Sequence, residues 1–305
     1  MRHLFTLHDL TAGEIERIFS ITEDLKTKLD QGIREPILPG RVMALLFEKP
    51  SLRTRVSFES GMIHLGGGSL FLGEDVGWGS RESLSDFGRV LSELVDVIVV
   101  RAKKHQKVLD LASHCSCSVI NGLTDMAHPC QALADLYTVR ERFGSLQGLT
   151  MAYVGDANNV ASSLVEGCGK LGVRINVAAP AGYQFTEADV CRFKEESPQL
   201  QLTLTDDPRA AVRGASAVYT DVWTSMGQEA ERETRRKVFA AYQVNAALMK
   251  LAAKDAIFLH CLPANRGEEV TEEVIDSPQS FIVQEAGNRM HVQKGVLAWL
   301  LGSQS

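Results

Sequence analysis

The stretch Val42-Met-Ala-Leu-Leu-Phe-Glu-Lys-Pro-Ser-Leu-Arg-Thr-Arg-Val-Ser-Phe58 joins an apolar run to the five residues Ser51–Arg55, which crowd hydroxyl and guanidinium groups together. A short apolar run of this kind reads as a strand buried on both faces. The residues after Pro50 read as a helix start, because serine is among the preferred N-cap residues. Hydroxyls and arginines at such a place have two readings, an ordinary cap with solvated charges or a binding site. The rest of the chain decides between them.

Working outward, apolar runs recur at Leu70–Leu72, Val97–Val100, Val119–Ile120, Met151–Val154, Ile175–Ala178, Leu202–Leu204, Ala217–Tyr219, Ile257–Leu259 and Phe281–Val283, separated by longer segments of helical period. This alternation is the pattern of parallel α/β architecture. With 305 residues, of which 45% are hydrophobic, the chain is long enough for two domains. The expected fold is α/β: two doubly wound domains, each a central parallel sheet flanked by helices, joined by interdomain helices. Gly144-Ser-Leu-Gln-Gly148 marks the expected boundary, giving domains 1–140 and 141–287, with a last helix from about Asn288 to Leu301 returning to pack on the first. The N-terminal segment from Met1 to Phe19 reads as an ordinary amphipathic helix. Pro129 suits a helix's first turn, and Thr186 with Asp189 forms a capping-box pattern.

A formal net charge of -6 argues against a global field for nucleic acid or anionic membrane. No run approaches the ~20 apolar residues of a membrane span. Six cysteines spread through a long chain fit reduced thiols, so a cytoplasmic location is expected.

The ends of the strands carry the chemistry. Val42–Phe47 leads into Ser51-Leu-Arg-Thr-Arg55, Val97–Val100 into Arg101, Met151–Val154 into Gly155-Asp-Ala-Asn-Asn159, Ala217–Tyr219 into Asp221, and Ile257–Leu259 into His260-Cys-Leu-Pro263. Open α/β sheets bind ligands in the crevice beyond these ends, with anions at the N-termini of the adjoining helices. Arg53, Arg101 and Arg289 offer permanently charged forks, and Ser51 and Thr54 add donors at a helix start, together describing a pocket for a small dianion. Arg55, two residues from Arg53, points to another helix face and is expected to be structural. His128-Pro-Cys-Gln131 places an imidazole at a helix start and an amide on the same side three residues on.

The segments "SLRTR", "HPCQALADLYT", "GDANNV", "DVWTSMG" and "HCLPANRGEEV", in this order, resemble the aspartate/ornithine carbamoyltransferase superfamily, and the last two its ornithine carbamoyltransferases. The resemblance runs from about Leu4 to Leu301. It implies transfer of a carbamoyl group from carbamoyl phosphate to the side-chain amine of L-ornithine, giving citrulline and phosphate, with neither metal nor organic cofactor. It further implies that carbamoyl phosphate is held by the first domain through Ser51, Leu52, Arg53, Thr54, Arg101, His128, Gln131 and Arg289, completed by Cys261 and Leu262. Ornithine falls to Asn159, Asp221, Ser225 and Met226 of the second. Arg101, His128, Asp221 and Cys261 take the catalytic roles, Cys261 as proton acceptor with thiolate character favoured by neighbouring cations. The segment from Ser225 to Arg236 is expected to act as a mobile lid. Leu262-Pro263 is a candidate cis peptide.

Two positions depart from the pattern. Leu52 stands where the family usually has threonine, and Gly77-Trp78 where it usually offers a glutamine across a homotrimer interface. From the loop carrying them, Trp78 is expected to narrow the neighbour's pocket or alter the choice of amine, which keeps N-acylated ornithine and putrescine as alternative acceptors. A non-catalytic carbamoyl phosphate-binding homologue is the other alternative. A dehydrogenase fits poorly, since Gly155-Asp-Ala-Asn-Asn159 lacks the spaced glycines that admit a pyrophosphate. A zinc module built on His114-Cys-Ser-Cys117 lacks a second Cys pair. Whether the reaction serves arginine biosynthesis or breakdown is left open by the sequence.

Overall fold

The computed structural model describes residues 2–225 and 227–302. The chain divides into two compact units, Met1–Ala134 with Gly287–Ser305, and Asp135–Ala286.

The first unit contains α1 (Ala12–Asp30), β1 (Val42–Phe47), α2 (Leu52–His64), β2 (Gly68–Leu72), α3 (Leu84–Leu94), β3 (Val97–Arg101), α4 (His105–Ala112), β4 (Ser118–Leu123) and the start of α5 (Pro129–Phe143). Its parallel sheet has the order β2-β1-β3-β4. Ala44 and Leu46 of β1 join Ile98 and Val100 of β3 in one apolar cluster with Val108 and Leu111 of α4. The alternate residues Met43, Leu45, Val97 and Val99 are also fully buried. Burial of both faces is why these strands read as continuous apolar runs.

The second unit continues with β5 (Thr150–Val154), α6 (Asn159–Leu171), β6 (Arg174–Ala178), α7 (Glu187–Glu196), β7 (Leu202–Thr205), α8 (Pro208–Val212), β8 (Ala217–Thr220), α9 (Arg232–Phe239), α10 (Ala246–Met249), β9 (Ile257–Leu259), α11 (Glu272–Ile275) and the start of α12 (Ile282–Leu301). Its sheet, also parallel, runs β7-β6-β5-β8-β9. Ala152, Val154, Val218 and Phe258 form its core with Trp223, Phe239 and Tyr242. The division between units falls inside α5 and inside α12.

Two elements differ from the sequence reading. The N-terminal helix starts only at Ala12, where Thr11 and Glu14 close a capping box, and Leu4 instead pairs with the edge of β4 through Leu4 N–H to Val119 C=O (3.0 Å) and Asn121 N–H to Leu4 C=O (2.7 Å). Phe281–Val283 is not a strand: extended pairing is a single bridge between Phe258 and Ser280, and α12 has begun by Ile282. Pro129 opens α5, and Thr186 with Asp189 forms its capping box on α7. Among the described residues no helix is long and apolar enough to cross a membrane.

The part of α12 from Gly287 onward packs on α1. Gly295 lies against Thr22 and the Ile18 carbonyl, and Lys26 donates from Nζ to Asn288 Oδ1 at 2.8 Å. This contact fixes where the next residue, Arg289, points.

Candidate active site

Each sheet has a topological switch point, and each switch point carries one set of predicted residues. In the first unit the chain leaves β1 for β2 on one side and returns to β3 on the other, so the crevice lies beyond β1 and β3. Ser51 N-caps α2, its Oγ accepting the Thr54 N–H at 3.3 Å. The first turn of α2 thus presents further backbone donors and the positive end of a helix dipole. Arg101, at the tip of β3, is only 7% exposed. Thr54 is buried, and its Oγ1 accepts from Nη2 of Arg289 at 2.9 Å. Leu52 is 75% exposed and contributes backbone only.

Arg53 and Arg289 lie close enough to Arg101 to perturb it. Burial, then Arg289, then Arg53 lower the Arg101 guanidinium from 12.5 to about 10, and among the described residues its buried Nε finds no hydrogen-bond partner. A dianion among these groups would reverse the perturbation. Buried His128 is held well below the usual histidine range by its burial, then by Arg289 and Arg101, so its ring is neutral. Gln131 comes one turn into α5, also buried. Arg55 faces elsewhere, with Nε 3.2 Å from Glu59 and its guanidinium 3.9 Å from the Phe71 ring centroid.

Asn121 is a functional residue that the sequence pattern does not single out. Fully buried at the end of β4, it donates to the Phe5 carbonyl (2.8 Å) and the Ala127 carbonyl (3.3 Å), fixing the turn that delivers His128. An asparagine inside an apolar strand is the available signal.

In the second unit the switch point lies between β5 and β8. Asn158 caps α6, its Oδ1 accepting the Val160 and Ala161 N–H groups, while its Nδ2 donates to Asp221 Oδ2 at 2.8 Å. Asn159, the residue named from the sequence, starts the helix, and its neighbour Asn158, not named, is the partner of Asp221. Asp221, 6% exposed, accepts at Oδ1 from its neighbour's Val222 N–H (2.8 Å) and from the Cys261 thiol (3.0 Å). Ser225 donates its N–H to Gln228 Oε1 at 3.0 Å, and Met226 lies outside the described residues.

Cys261 departs from expectation. Burial pushes its thiol well above the usual range, Asp221 pushes it further, and Glu285 and Asp135 add to the effect. Within this unit the neighbours are carboxylates, so the sulfur is a protonated donor to Asp221, not a thiolate. The turn after Cys261 is tightly specified. Leu262 sits at φ 57 and precedes a cis bond to Pro263. Its N–H donates to His260 Nδ1 at 2.9 Å, and His260 Nε2 faces Glu269 Oε1 at 3.2 Å, both side chains fully buried. Ligand atoms of Asp221, His260 and Cys261 lie within 4.8 Å of one another, as a soft metal would require, yet each already serves one of these hydrogen bonds.

One further expectation is corrected. Trp78 does not project outward: it is 4% exposed, packed in the first unit's core, with the Lys107 ammonium 3.9 Å from its ring centroid. The preceding Gly77 adopts φ 65, a left-handed position that suits glycine. The segment expected to act as a lid, Ser225 to Arg236, runs into α9, where Arg235 and Phe239 are buried.

Comparison with known proteins also finds two domains, although the second match includes the 287–300 segment that the structure groups with the first unit. Residues 2–141 match the family description "Aspartate/ornithine carbamoyltransferase, carbamoyl-P binding domain", and residues 147–300 match its "Asp/Orn binding domain". The chain is 49% identical over 303 residues to an ornithine carbamoyltransferase of Symbiobacterium thermophilum, covering 98% of both chains. It is 49% identical to that of Bacillus subtilis, covering 98% of this chain and 94% of the relative. The solved ornithine carbamoyltransferase from Pyrococcus furiosus superposes with a TM-score of 0.96 at 46% identity, covering 100% of this chain and 98% of that one. Matched in both units and similar to these relatives over nearly its whole length, the chain belongs to the aspartate/ornithine carbamoyltransferase family.

Proposed function

We propose that the protein transfers the carbamoyl group of carbamoyl phosphate to the side-chain amine of L-ornithine, releasing L-citrulline and phosphate. Residues 1–140 with the part of α12 from Asn288 onward take carbamoyl phosphate, and residues 141–287 take ornithine. The phosphate is held by Ser51, Arg53 and Thr54 at the α2 N-terminus with the Leu52 backbone. Arg101, His128, Gln131 and Thr54 donate to the carbamoyl oxygen, with Arg289 holding Thr54. Asn159, Asp221 and Ser225 hold ornithine.

The amine nitrogen attacks the carbonyl carbon, negative charge grows on the carbonyl oxygen, and the bond to the phosphate oxygen breaks with its electron pair leaving on phosphate. Donors already fixed around that oxygen stabilise the charge without reorganisation. A neutral His128 is suited to this, since a protonated ring would add a cation beside two guanidinium groups. The attacking amine must shed its proton, and in this reading the proton goes to Asp221, whose Oδ1 accepts from the Cys261 thiol. Cys261 then acts as a donor that tunes Asp221.

The observation that carries the reading is buried Arg101, lowered by its burial and by Arg289 and Arg53 beside it near a helix N-terminus, a setting that a doubly charged ligand would relieve. Burial of Trp78 removes the sequence-level reason for another acceptor. A homotrimer is supported by the apolar side chains exposed on α2 and β2, Leu52 (75%), Val56 (49%) and Leu70 (51%). A cytoplasmic setting is supported by six thiols without a disulfide among the described residues. The deciding assay compares ornithine, N-acetylornithine, putrescine and aspartate as acceptors. Selective citrulline formation is expected, and failure to carbamoylate ornithine would overturn the proposal.

A further inference from the structure

Helix α9 carries one side chain that behaves unlike its neighbours. Arg232 and Arg236 pair with glutamates near the surface, but the Arg235 side chain is 6% exposed. Its Nη1 donates to Asp156 Oδ2 at 2.6 Å and to the Trp223 carbonyl at 2.9 Å, its Nε donates to Glu231 Oε2 at 2.9 Å, and the guanidinium lies 4.8 Å from the Tyr183 ring centroid. Three of these partners belong to three different strand ends: Asp156 comes after β5, Tyr183 after β6 and Trp223 after β8. The Tyr183 carbonyl in turn accepts the Ala157 N–H at 3.0 Å. One planar fork therefore ties together the turns on both sides of the second switch point.

We propose that Arg235 is a positioning residue of the ornithine half-site, locking the Asp156–Asn158 turn to the Asp221–Trp223 segment so that Asn158 meets Asp221. This rests on the ornithine reading above. Arg235 touches none of the reacting groups. It acts two residues from Asn158 through Asp156 and two residues from Asp221 through Trp223, the pair whose 2.8 Å hydrogen bond orients the Asp221 carboxylate. A purely structural role would cost stability when Arg235 is removed, because a buried partner is left uncompensated, but would not select ornithine binding over carbamoyl phosphate binding.

The pairing also sets a charge balance. Asp156 is faced by Arg235 from α9, by Glu231 from the turn before it and by Asp221 from the end of β8. Burial raises its carboxyl above the usual range, Arg235 opposes this, and the two acids add to it. Removing Arg235 leaves only the raising influences.

The test uses the full-length enzyme with R235Q, R235K and the double variant D156N/R235Q. In R235Q the KM for ornithine is expected to rise by about tenfold or more, because small misplacements of a positioned group are costly. The KM for carbamoyl phosphate should stay within about twofold. The acid limb of kcat/KM for ornithine should move to higher pH in R235Q, and D156N/R235Q should abolish that shift. R235K, which keeps the charge on Asp156 but not the fork, should show the KM change with little pH shift and keeps the test open if R235Q folds poorly. Hydrogen exchange at the Ala157–Asn158 and Val222–Thr224 amides should quicken while β6 stays protected. That readout is independent of turnover, so it judges Arg235 even if ornithine proves the wrong acceptor. Unchanged exchange at both turns, or equal changes in both KM values, overturns the proposal.

Discussion

Replacing Gly295 by alanine tests how α12 aims Arg289. A Cβ on Gly295 would overlap the Thr22 hydroxyl and lie 2.8 Å from the Ile18 carbonyl oxygen, so the backbone of one helix must give way. Thr22 cannot swing aside freely, being fully buried and donating to the Ile18 carbonyl at 2.7 Å. The helices must separate, and overpacking of this kind costs about 1–3 kcal/mol. For a unit of this size, each kcal/mol lowers Tm by about 2–4 °C. The displacement carries Asn288 from Lys26 and Arg289 from Thr54, contacts now at 2.8 and 2.9 Å. A hydrogen bond to a charged group is worth about 1.5–3 kcal/mol, so the KM for carbamoyl phosphate should rise by about tenfold. Ornithine KM should move much less. Thr22→Ala in the Gly295→Ala background should recover part of the loss, since the hydroxyl clash goes and the carbonyl clash stays. Thermal denaturation with two-substrate kinetics is the assay. A Gly295→Ala enzyme with wild-type Tm and unchanged KM for carbamoyl phosphate would refute the account of α12.

Inorganic phosphate should raise Tm, by about 2.7 kcal/mol of stabilisation at 100 times its Kd, and Arg101→Gln should flatten that dependence. Cys261 should be alkylated by iodoacetamide far more slowly than exposed Cys191, as peptide mass spectrometry would report, because burial and Asp221 suppress its thiolate; fast labelling of Cys261 would contradict its role as a donor. Trp78→Leu should cost about 1–3 kcal/mol of stability and leave the choice of amine unchanged, whereas a new acceptor preference would return Trp78 to the site. His128, whose folded value is depressed, is neutral when folded but protonated when unfolded at pH below the ordinary histidine range. Stability should therefore fall as pH drops below about 6.5, and His128→Asn should lessen that fall in denaturant titrations.

The parallel sheets were legible because both of their faces are buried, which turns each strand into an apolar run that needs no partner to be recognised. The strand ends were legible because polar groups stop those runs abruptly, as at Arg101 and Asp221. Phe281–Val283 misled for the same reason in reverse: an apolar triplet there begins a helix, and its length alone does not distinguish the two. Trp78 misled because resemblance supplies a place in a loop but not the direction of a side chain, which Lys107 and the core around it decide. Asn121 left a trace as a polar residue inside an apolar strand, whereas Asn158 and Arg235 were invisible for a common cause. Each acts through hydrogen bonds to groups far along the chain, and no local pattern records such partners.

The two half-sites are electrically opposed, and that opposition explains why neither was visible as composition. In the first unit guanidinium groups crowd together until Arg101 falls to about 10 and His128 is kept neutral. In the second, carboxylates crowd until the Cys261 proton is held fast. Arg101 and Cys261 register these surroundings in opposite directions, the one lowered beside cations and the other raised beside carboxylates. The dianion proposed for the first half would relieve Arg101, and the cationic substrate proposed for the second would be matched by Asp221. A net charge of -6 hides this, because the cations are few and concentrated.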